Sequence, residues 1–339
     1  MAFLPSTFNL PFIWAVIIMF AIMMYVVMDG FDLGLGILFP FFADKQERDL
    51  MMNSVAPVWD GNETWLVLGG AGLMAAFPLA YAVVLTAFYL PLIFMLMGLI
   101  FRGVAFEFRF KAHEHERHFW DKAFIGGSVI ATFFQGVTLG AYIKGIPVVD
   151  GAYTGGALDW ISPFSIFTGL SLLVAYALLG STWLIMKTEG RLQTHAYLIT
   201  RKLVWVLLAI IIVVSIWTPL TDAGIAHRWF SYPNILWVAP VPVLVALCMF
   251  MLLRAVAKQA HVAPFLFTLA LVFLSYAGFG ISLWPNIVPP HISIWQAASP
   301  PQSQGFTLVG ALIIIPIILG YTVWAYYVFR GKVSGEGYH

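Results

Sequence analysis

Long apolar stretches follow one another along the whole chain, and they constrain the fold more than any other feature of the sequence. Nine can be marked, at residues 11–41, 50–76, 79–101, 122–143, 163–186, 203–220, 235–253, 264–285 and 305–329. About 20 apolar residues cross a bilayer as one α-helix, because a helix satisfies its own backbone hydrogen bonds. The sequence therefore predicts an all-α polytopic membrane protein with nine transmembrane helices.

The composition agrees with lipid as the solvent. Charged residues make up 10% of the 339 residues, and the mean hydropathy is +0.90, whereas soluble domains carry about 25% charged residues. The net charge of +1 gives no reason to expect a nucleic-acid partner. The first stretch lacks a preceding basic region and is longer than a signal-peptide core, so it is interpreted as the first span. Residues 1–339 are expected to form a single membrane domain.

The basic residues sort strongly between the two sides of a nine-span chain. Of the 17 Lys and Arg residues, only Lys144 and Arg228 fall on one side, and the rest fall on the other. Loops rich in Lys and Arg stay in the cytoplasm. The pattern therefore predicts an N-terminus outside and a C-terminus inside, and an even number of spans would destroy it.

Acidic residues occur in the first span. The segment MDGFDLGLG places Asp29 and Asp32 three residues apart on one helix face. Gly30 and Gly34 form a pair of small residues four apart, which allows another helix to approach closely.

Two further spans carry charges. The segment NSVAPVWDGNETWLV contains Asp60 and Glu63, and FRGVAFEFRF contains Arg102 and Glu107. Counting from the inner surface at about 1.5 Å per residue, Asp60 and Glu63 lie about 15–20 Å deep. Charged groups inside a membrane are costly and usually functional. The acids suit a proton route from the cytoplasm, although pairing such as Asp60 with Arg102 could instead lock the helices together.

Histidine and cysteine limit the cofactors. None of the eight histidines lies in the middle of a predicted span, and Cys248 is the only cysteine. A membrane haem normally needs an axial ligand on a helix, most often His. The sequence predicts no His-ligated haem, no metal site and no intrachain disulfide.

Three segments resemble a known family. MDGFDLGLG at 28–36, NSVAPVWDGNETWLV at 53–67 and FRGVAFEFRFK at 101–111 are similar to signature segments of subunit II of the cytochrome bd quinol oxidases, including the cyanide-insensitive branch. This resemblance implies two four-helix bundles, about residues 1–145 and 160–285, and a peripheral helix at about 304–330. It also implies a multi-pass protein of the bacterial plasma (inner) membrane.

The resemblance further implies a heterodimer. Subunit I would carry two haems b, one haem d and the quinol site, and small single-helix subunits often join. The complex would oxidise ubiquinol or menaquinol and reduce dioxygen to water with cytoplasmic proton uptake. A quinone is expected as substrate and is also a candidate structural component, beside bound lipids.

Residue roles carry over only by matching positions. Asp60 matches an acid associated with a proton path toward the haems, and Asp29 matches the first-span acid. Glu107 falls where other members have Asp, and Glu63 where some have Gln, which favours Asp60 as the proton carrier. Trp65 matches a tryptophan near a lateral route for dioxygen.

Two alternatives stay open. A cation-coupled secondary transporter could use the same acids, but it should repeat a broken or polar helix pair in its second half. There the spans offer only Asp222, near an outer end. A purely structural scaffold for another subunit differs from the oxidase reading only in whether Asp60 affects turnover.

Overall fold

The computed structural model describes residues 9–221 and 223–333, and these residues are mostly helical. The helices are α1 Leu10–Leu38, α2 Lys45–Asn53, α3 Trp59–Ala76, α4 Pro78–Ala87, α5 Tyr89–Arg109, α6 Glu114–Lys144, α7 Pro163–Lys187, α8 Gly190–Thr221, α9 Ala223–Phe230, α10 Ile235–Val238, α11 Pro240–Ala257, α12 Ala263–Leu283, α13 Ile294–Ala297 and α14 Pro301–Val328. The strands are β1 Val148–Val149, β2 Ala152–Tyr153, β3 Asn286–Val288 and β4 Ile292–Ser293, paired as two antiparallel hairpins. Asp222 lies outside the described residues.

Eight of the described helices are long and apolar enough to cross a membrane: α1, α5, α6, α7, α8, α11, α12 and α14. The all-helical, multi-span fold is therefore confirmed. The remaining predicted span corresponds to α3, which has 18 residues. It is absent from that set because its first turns carry Asp60, Asn62 and Glu63, which offset its apolar second half.

Several predicted spans have the wrong boundaries: α8, for example, begins at Gly190 rather than at 203. Two spans of the first half are interrupted. The stretch 50–76 is not one helix: α2 ends at Asn53, a turn follows, and α3 begins at Trp59. The stretch 79–101 divides into α4 and α5, and α5 continues to Arg109. Pro57 lies in the first break and Pro91 just after the second. Proline lacks a backbone N–H and disfavours helical geometry in the residue before it, so helices restart near it.

Helices α1 and α7 cross at very short range, as the Gly30–Gly34 pair predicted. A Cβ atom built on Gly34 would lie 1.9 Å from the carbonyl oxygen of Tyr176. On the opposite helix, a Cβ on Gly180 would lie 2.7 Å from the carbonyl carbon of Gly34. Only residues without a side chain permit this approach, which brings the acidic part of α1 against α7.

We expect Gly34→Ala to destabilise the protein. The new methyl group meets backbone rather than a mobile side chain, and overpacking of this kind costs about 1–3 kcal/mol. Thermal unfolding of the purified complex measures the loss. Gly126→Ala on α6 is the matched control, because a Cβ there meets no atom within 4 Å. Equal unfolding midpoints for the two variants would contradict the close crossing.

The loop at residues 286–304 ties distant helices together. The β3–β4 hairpin and α13 pack against α4. The amide of Ser299 donates to the carbonyl of Ala76 at 2.9 Å, and the amide of Ile146 donates to Pro289 at 2.9 Å. At the opposite end of α1, the ring of Phe31 stacks on Trp183 of α7 with 4.2 Å between centroids. Near the start of α1, the indole of Trp14 donates to Gln304 O, at the end of the loop, at 3.1 Å, so α1 is held at both ends.

Candidate functional site

A buried arginine links the three helices that carry the acids of the first half. Arg102, two thirds of the way along α5, is fully buried. Its Nη2 donates to Asp29 Oδ1 of α1 at 2.7 Å and to Glu63 Oε2 of α3 at 3.1 Å. The side chain of Asp29 has no exposed surface, whereas that of Glu63 is 29% exposed. Arg102 therefore joins one deep acid to one that still reaches the surface.

Aromatic rings surround the rest of the guanidinium. Its carbon lies 5.7 Å from the ring centroid of Trp59 and 5.9 Å from that of Phe106. These two rings stack on each other with 5.0 Å between centroids. Arg102 Nε and Nη1 are buried, and neither has a hydrogen-bond partner among the described residues. The rings stabilise the cation through cation–π contacts. They carry no net charge, so they do not neutralise it.

A second buried acid lies beside this group. Asp32 of α1 is fully buried, and its Oδ2 accepts a 2.8 Å hydrogen bond from the side-chain amide of Asn62. The oxygen of the same amide, Asn62 Oδ1, accepts a 2.8 Å hydrogen bond from the hydroxyl of Tyr326 on α14. Asp32 Oδ1 is buried and unpartnered among the described residues. The Asn62 amide that donates to this carboxyl is neutral, so among the described residues Asp32 has no cation of its own.

The charges of this site do not balance. One guanidinium faces the three carboxyl groups of Asp29, Asp32 and Glu63, and two of these groups are fully buried. Buried ions without a counter-ion are expensive, so such sites are neutralised by protons or cations. The cluster of Arg102, Asp29, Asp32 and Glu63, here called the Arg102 cluster, therefore has the composition of a proton-holding site.

A second buried ionic group provides a contrast. Arg109, only 2% exposed, contacts Asp121 at 2.5 Å and Asp49 at 2.6 Å, and Arg48 contacts Asp121 at 2.9 Å. Here two cations meet two carboxylates, so the group is neutral without added protons. It joins α2, α5 and α6 and needs no role beyond holding them together.

Asp60 lies apart from the Arg102 cluster, so the possible Asp60–Arg102 pair is not formed. It occupies the first turn of α3 rather than the middle of a continuous 50–76 helix, and it is exposed. The depth count for Asp60 assumed an unbroken helix over 50–76, and the structure instead interrupts that helix between Asn53 and Trp59. Thr64 and Val67 are also exposed, so Asp60 belongs to an outward face of α3.

The other predicted site residues lie in different surroundings. Glu107 is exposed and forms an i,i+4 pair with Lys111 at 3.6 Å, so the fold does not bring it into the cluster. Trp65 is 1% exposed, and its ring meets that of Phe20 edge-on with 5.8 Å between centroids. The Nε1 atom of Trp65 has no hydrogen-bond partner among the described residues.

Sequence reasoning missed three polar residues behind the cluster. Gln135 of α6 donates to the hydroxyl of Tyr25 at 2.5 Å and accepts from the hydroxyl of Tyr176 at 3.0 Å. Tyr25 precedes Asp29 by four residues, one helical turn, and so shares its face of α1. All three line a half-open cavity of about 510 Å³ between α1, α6, α7 and α12. The available signal was the lone amide of Gln135 within an apolar span.

Within residues 9–221 and 223–333, no group of three or more His, Cys, Asp or Glu side chains is arranged to hold a metal ion.

Known proteins of similar sequence and structure cover almost the entire chain. The family model described as cytochrome bd terminal oxidase subunit II matches residues 10–329. Cytochrome bd-I ubiquinol oxidase subunit 2 of Escherichia coli strain K12 is 30% identical, with 96% of each chain covered. Cytochrome bd ubiquinol oxidase subunit 2 of Bacillus subtilis strain 168 is 29% identical, over 95% of this chain and 96% of the relative.

The fold has a counterpart among solved structures. The structure of bd oxidase from Geobacillus thermodenitrificans includes a chain that superposes with a TM-score of 0.73, over 95% of this chain and 100% of that one, at 16% identity. That likeness concerns the fold, whereas the family model and the relatives concern the sequence. Together they show that the chain belongs to the cytochrome bd terminal oxidase subunit II family.

Proposed function

We propose that this chain is the non-haem subunit of a ubiquinol-oxidising terminal oxidase and that it leads protons from the cytoplasmic side toward haems on subunit I. Subunit I would carry two haems b and one haem d, where dioxygen is reduced to water. The family membership and the relatives named as ubiquinol oxidase subunits support the oxidase role over the transporter alternative. The excess of buried carboxyl groups around Arg102 carries the proton role.

The proposed route follows decreasing exposure. Asp60 is exposed, Glu63 three residues later is 29% exposed at its side chain, and Asp29 is fully buried. Arg102 bridges Glu63 and Asp29, so a proton that reaches Glu63 is one side chain away from the buried acid. Glu107, at the inner end of α5, belongs at most to the surface that collects protons.

Asp60 also indicates where subunit I docks. An exposed carboxylate on a membrane-crossing helix is unfavourable against lipid, and such residues usually face a partner or a water-filled cavity. Two turns further along the same face, Val67 is 69% exposed, and Met74 is 59% exposed. We assign this face of α3 to subunit I, which would place Asp60 at the junction of the two subunits.

The proposal also includes the membrane topology and the grouping of the helices. The chain would have nine spans including α3, with its N-terminus outside and its C-terminus inside. The helices would form bundles at about 1–145 and 160–285, with a peripheral helix at about 304–330. The packing of α1 with α3 and α6, of α5 with α6, and of α7 with α8 and α12 is compatible with it.

The half-open cavity between α1, α6, α7 and α12 suits a quinone as a structural component. Its lining is mainly apolar, which matches an isoprenoid tail and a ring. The hydroxyl of Tyr276 already donates to Met19 O at 3.0 Å, and that of Tyr142 donates to Ile287 O. Because both hydroxyl groups already donate to backbone carbonyls, they are not placed to exchange protons with a quinone. This favours a quinone with a structural role over one that serves as substrate. Trp65, buried beside α1, is retained as the candidate for dioxygen access.

Glu63→Gln tests the proton role. Glutamine keeps a hydrogen-bond acceptor for Arg102 but cannot carry a proton. We expect assembled oxidase with full haem content and a reduced turnover number, and a smaller loss than for Asp60→Asn, because the family resemblance allows Gln at this position. Glu114→Gln is the control, since Glu114 is 86% exposed and, among the described residues, pairs only with Lys45. Wild-type turnover in both Glu63→Gln and Asp60→Asn, with full haem content, would refute the route.

A further inference from the structure

A second cavity, of about 570 Å³, opens where three helices reach the side of the membrane to which the basic residues sort. Helix α7 ends there at Lys187, α14 ends at Val328 and α12 begins at Ala263. The cavity is lined by Lys187, Arg330 and Lys332 and, on its apolar side, by Trp183, Tyr326 and Val262. It therefore joins a basic rim to an apolar wall at the level of the membrane surface.

The cations of this rim cap helix ends, and no acid of the described residues neutralises them. Lys187 is 8% exposed, and its Nζ donates to Phe329 O at 2.6 Å. Lys332 Nζ donates to Thr188 O at 2.9 Å, and Arg330 Nη1 donates to Tyr327 O at 2.8 Å. Within the described residues, none of the three forms an ion pair with an acid. Carbonyl contacts use some N–H donors of each group but leave its charge uncompensated.

A buried polar group in the same cavity also lacks a partner. Asn53, at the end of α2, is 8% exposed and lines the cavity. Its Oδ1 is buried without a hydrogen-bond partner among the described residues. This oxygen would accept a hydrogen bond from a hydroxyl group. The cavity thus offers donors for an anion, an acceptor for a hydroxyl and an apolar wall for a chain.

We propose that this cavity binds one anionic phospholipid of the cytoplasmic leaflet, with its phosphate at Lys187, Lys332 and Arg330. Basic pockets between membrane helices on this side bind anionic head groups, and the leaflet supplies them. The apolar wall favours a lipid over a free phosphate ion, which would use only the rim. The hydroxyl acceptor of Asn53 favours a glycerol head group, as in phosphatidylglycerol.

Native mass spectrometry of the purified two-subunit complex, titrated with phosphatidylglycerol or phosphatidylcholine, tests this site. We expect one phosphatidylglycerol to remain bound and phosphatidylcholine not to replace it. The double variant Lys187→Gln, Lys332→Gln should bind it about tenfold or more weakly, because charge-assisted hydrogen bonds are lost. The matched control is Lys202→Gln, Lys258→Gln, which removes two exposed lysines outside the cavity.

Several results would overturn the proposal. One is that the double variant and the control bind phosphatidylglycerol with equal affinity. Another is that phosphatidylcholine binds as well as phosphatidylglycerol. A third is that excess inorganic phosphate displaces the phosphatidylglycerol, which would indicate a free-anion site. Loss of subunit I from the double variant, with lipid retention unchanged, would instead show a partner carboxylate in the cavity. If replacing the buried Lys187 prevents folding, Lys332→Glu can be used instead, because Lys332 is exposed. It should also weaken phosphatidylglycerol binding relative to the control.

Discussion

Asp60→Asn should lower the turnover of the assembled oxidase by about 10²–10⁴-fold, the usual loss when a positioned proton-transfer group is removed. Asparagine preserves the size of the side chain and its hydrogen-bonding groups but cannot take up and release a proton. Because Asp60 is exposed on an outward face of α3, the fold of this chain does not depend on it. Turnover should therefore fall while haem content per complex stays unchanged.

Two measurements make the Asp60 result decisive. Quinol-driven oxygen consumption gives the turnover number, and the b and d absorbance bands give the haem content of the same sample. Asp60→Glu keeps a carboxyl group and should retain part of the activity. An Asp60→Asn complex with full haem content and wild-type turnover would leave Asp60 with a structural role at most. A complex that loses subunit I would instead identify Asp60 as a docking residue.

Arg102→Leu should prevent stable assembly of the complex. The substitution leaves Asp29 buried without its cation, and breaking one side of a buried ion pair costs about 3–5 kcal/mol. Leucine also leaves the rings of Trp59 and Phe106 without the cation that lies over them. The yield of haem-loaded complex and its thermal unfolding midpoint should both fall well below those of the wild type.

A compensating variant separates charge from shape. Adding Asp29→Asn and Glu63→Gln to Arg102→Leu removes the unpaired carboxylates, so assembly should be largely restored, but turnover should stay low because the acids are gone. If the triple variant unfolds as readily as Arg102→Leu alone, then packing around the guanidinium matters more than its charge. The balanced group offers a comparison: Arg109→Leu should impair assembly in the same way without a separate effect on turnover.

Much of this protein follows from the sequence alone. The apolar stretches predicted a polytopic helical fold, and eight of the described helices meet the length and apolarity of a span. The acids and Arg102 stood out because charges are rare in such a chain. Hydropathy and rare charges are local properties, so they can be read without knowing which helices meet. The segments around Asp29, Asp60 and Arg102 also indicated the family, which the full-length comparisons established.

The partners of each charge were decided only by the tertiary structure. Asp60 and Glu63 share one helix, three residues apart, yet Glu63 reaches Arg102 and Asp60 faces outward. Each residue turns the helix by about 100°, so this spacing leaves the two side chains about 60° apart. That difference separates an inward position from an outward one once α1 and α5 lie on a single side of α3. The side chain of Gln135 likewise meets Tyr25, 110 residues away, and Tyr176, 41 residues away. Helix rotation and packing, rather than spacing along the chain, decide which side chains touch.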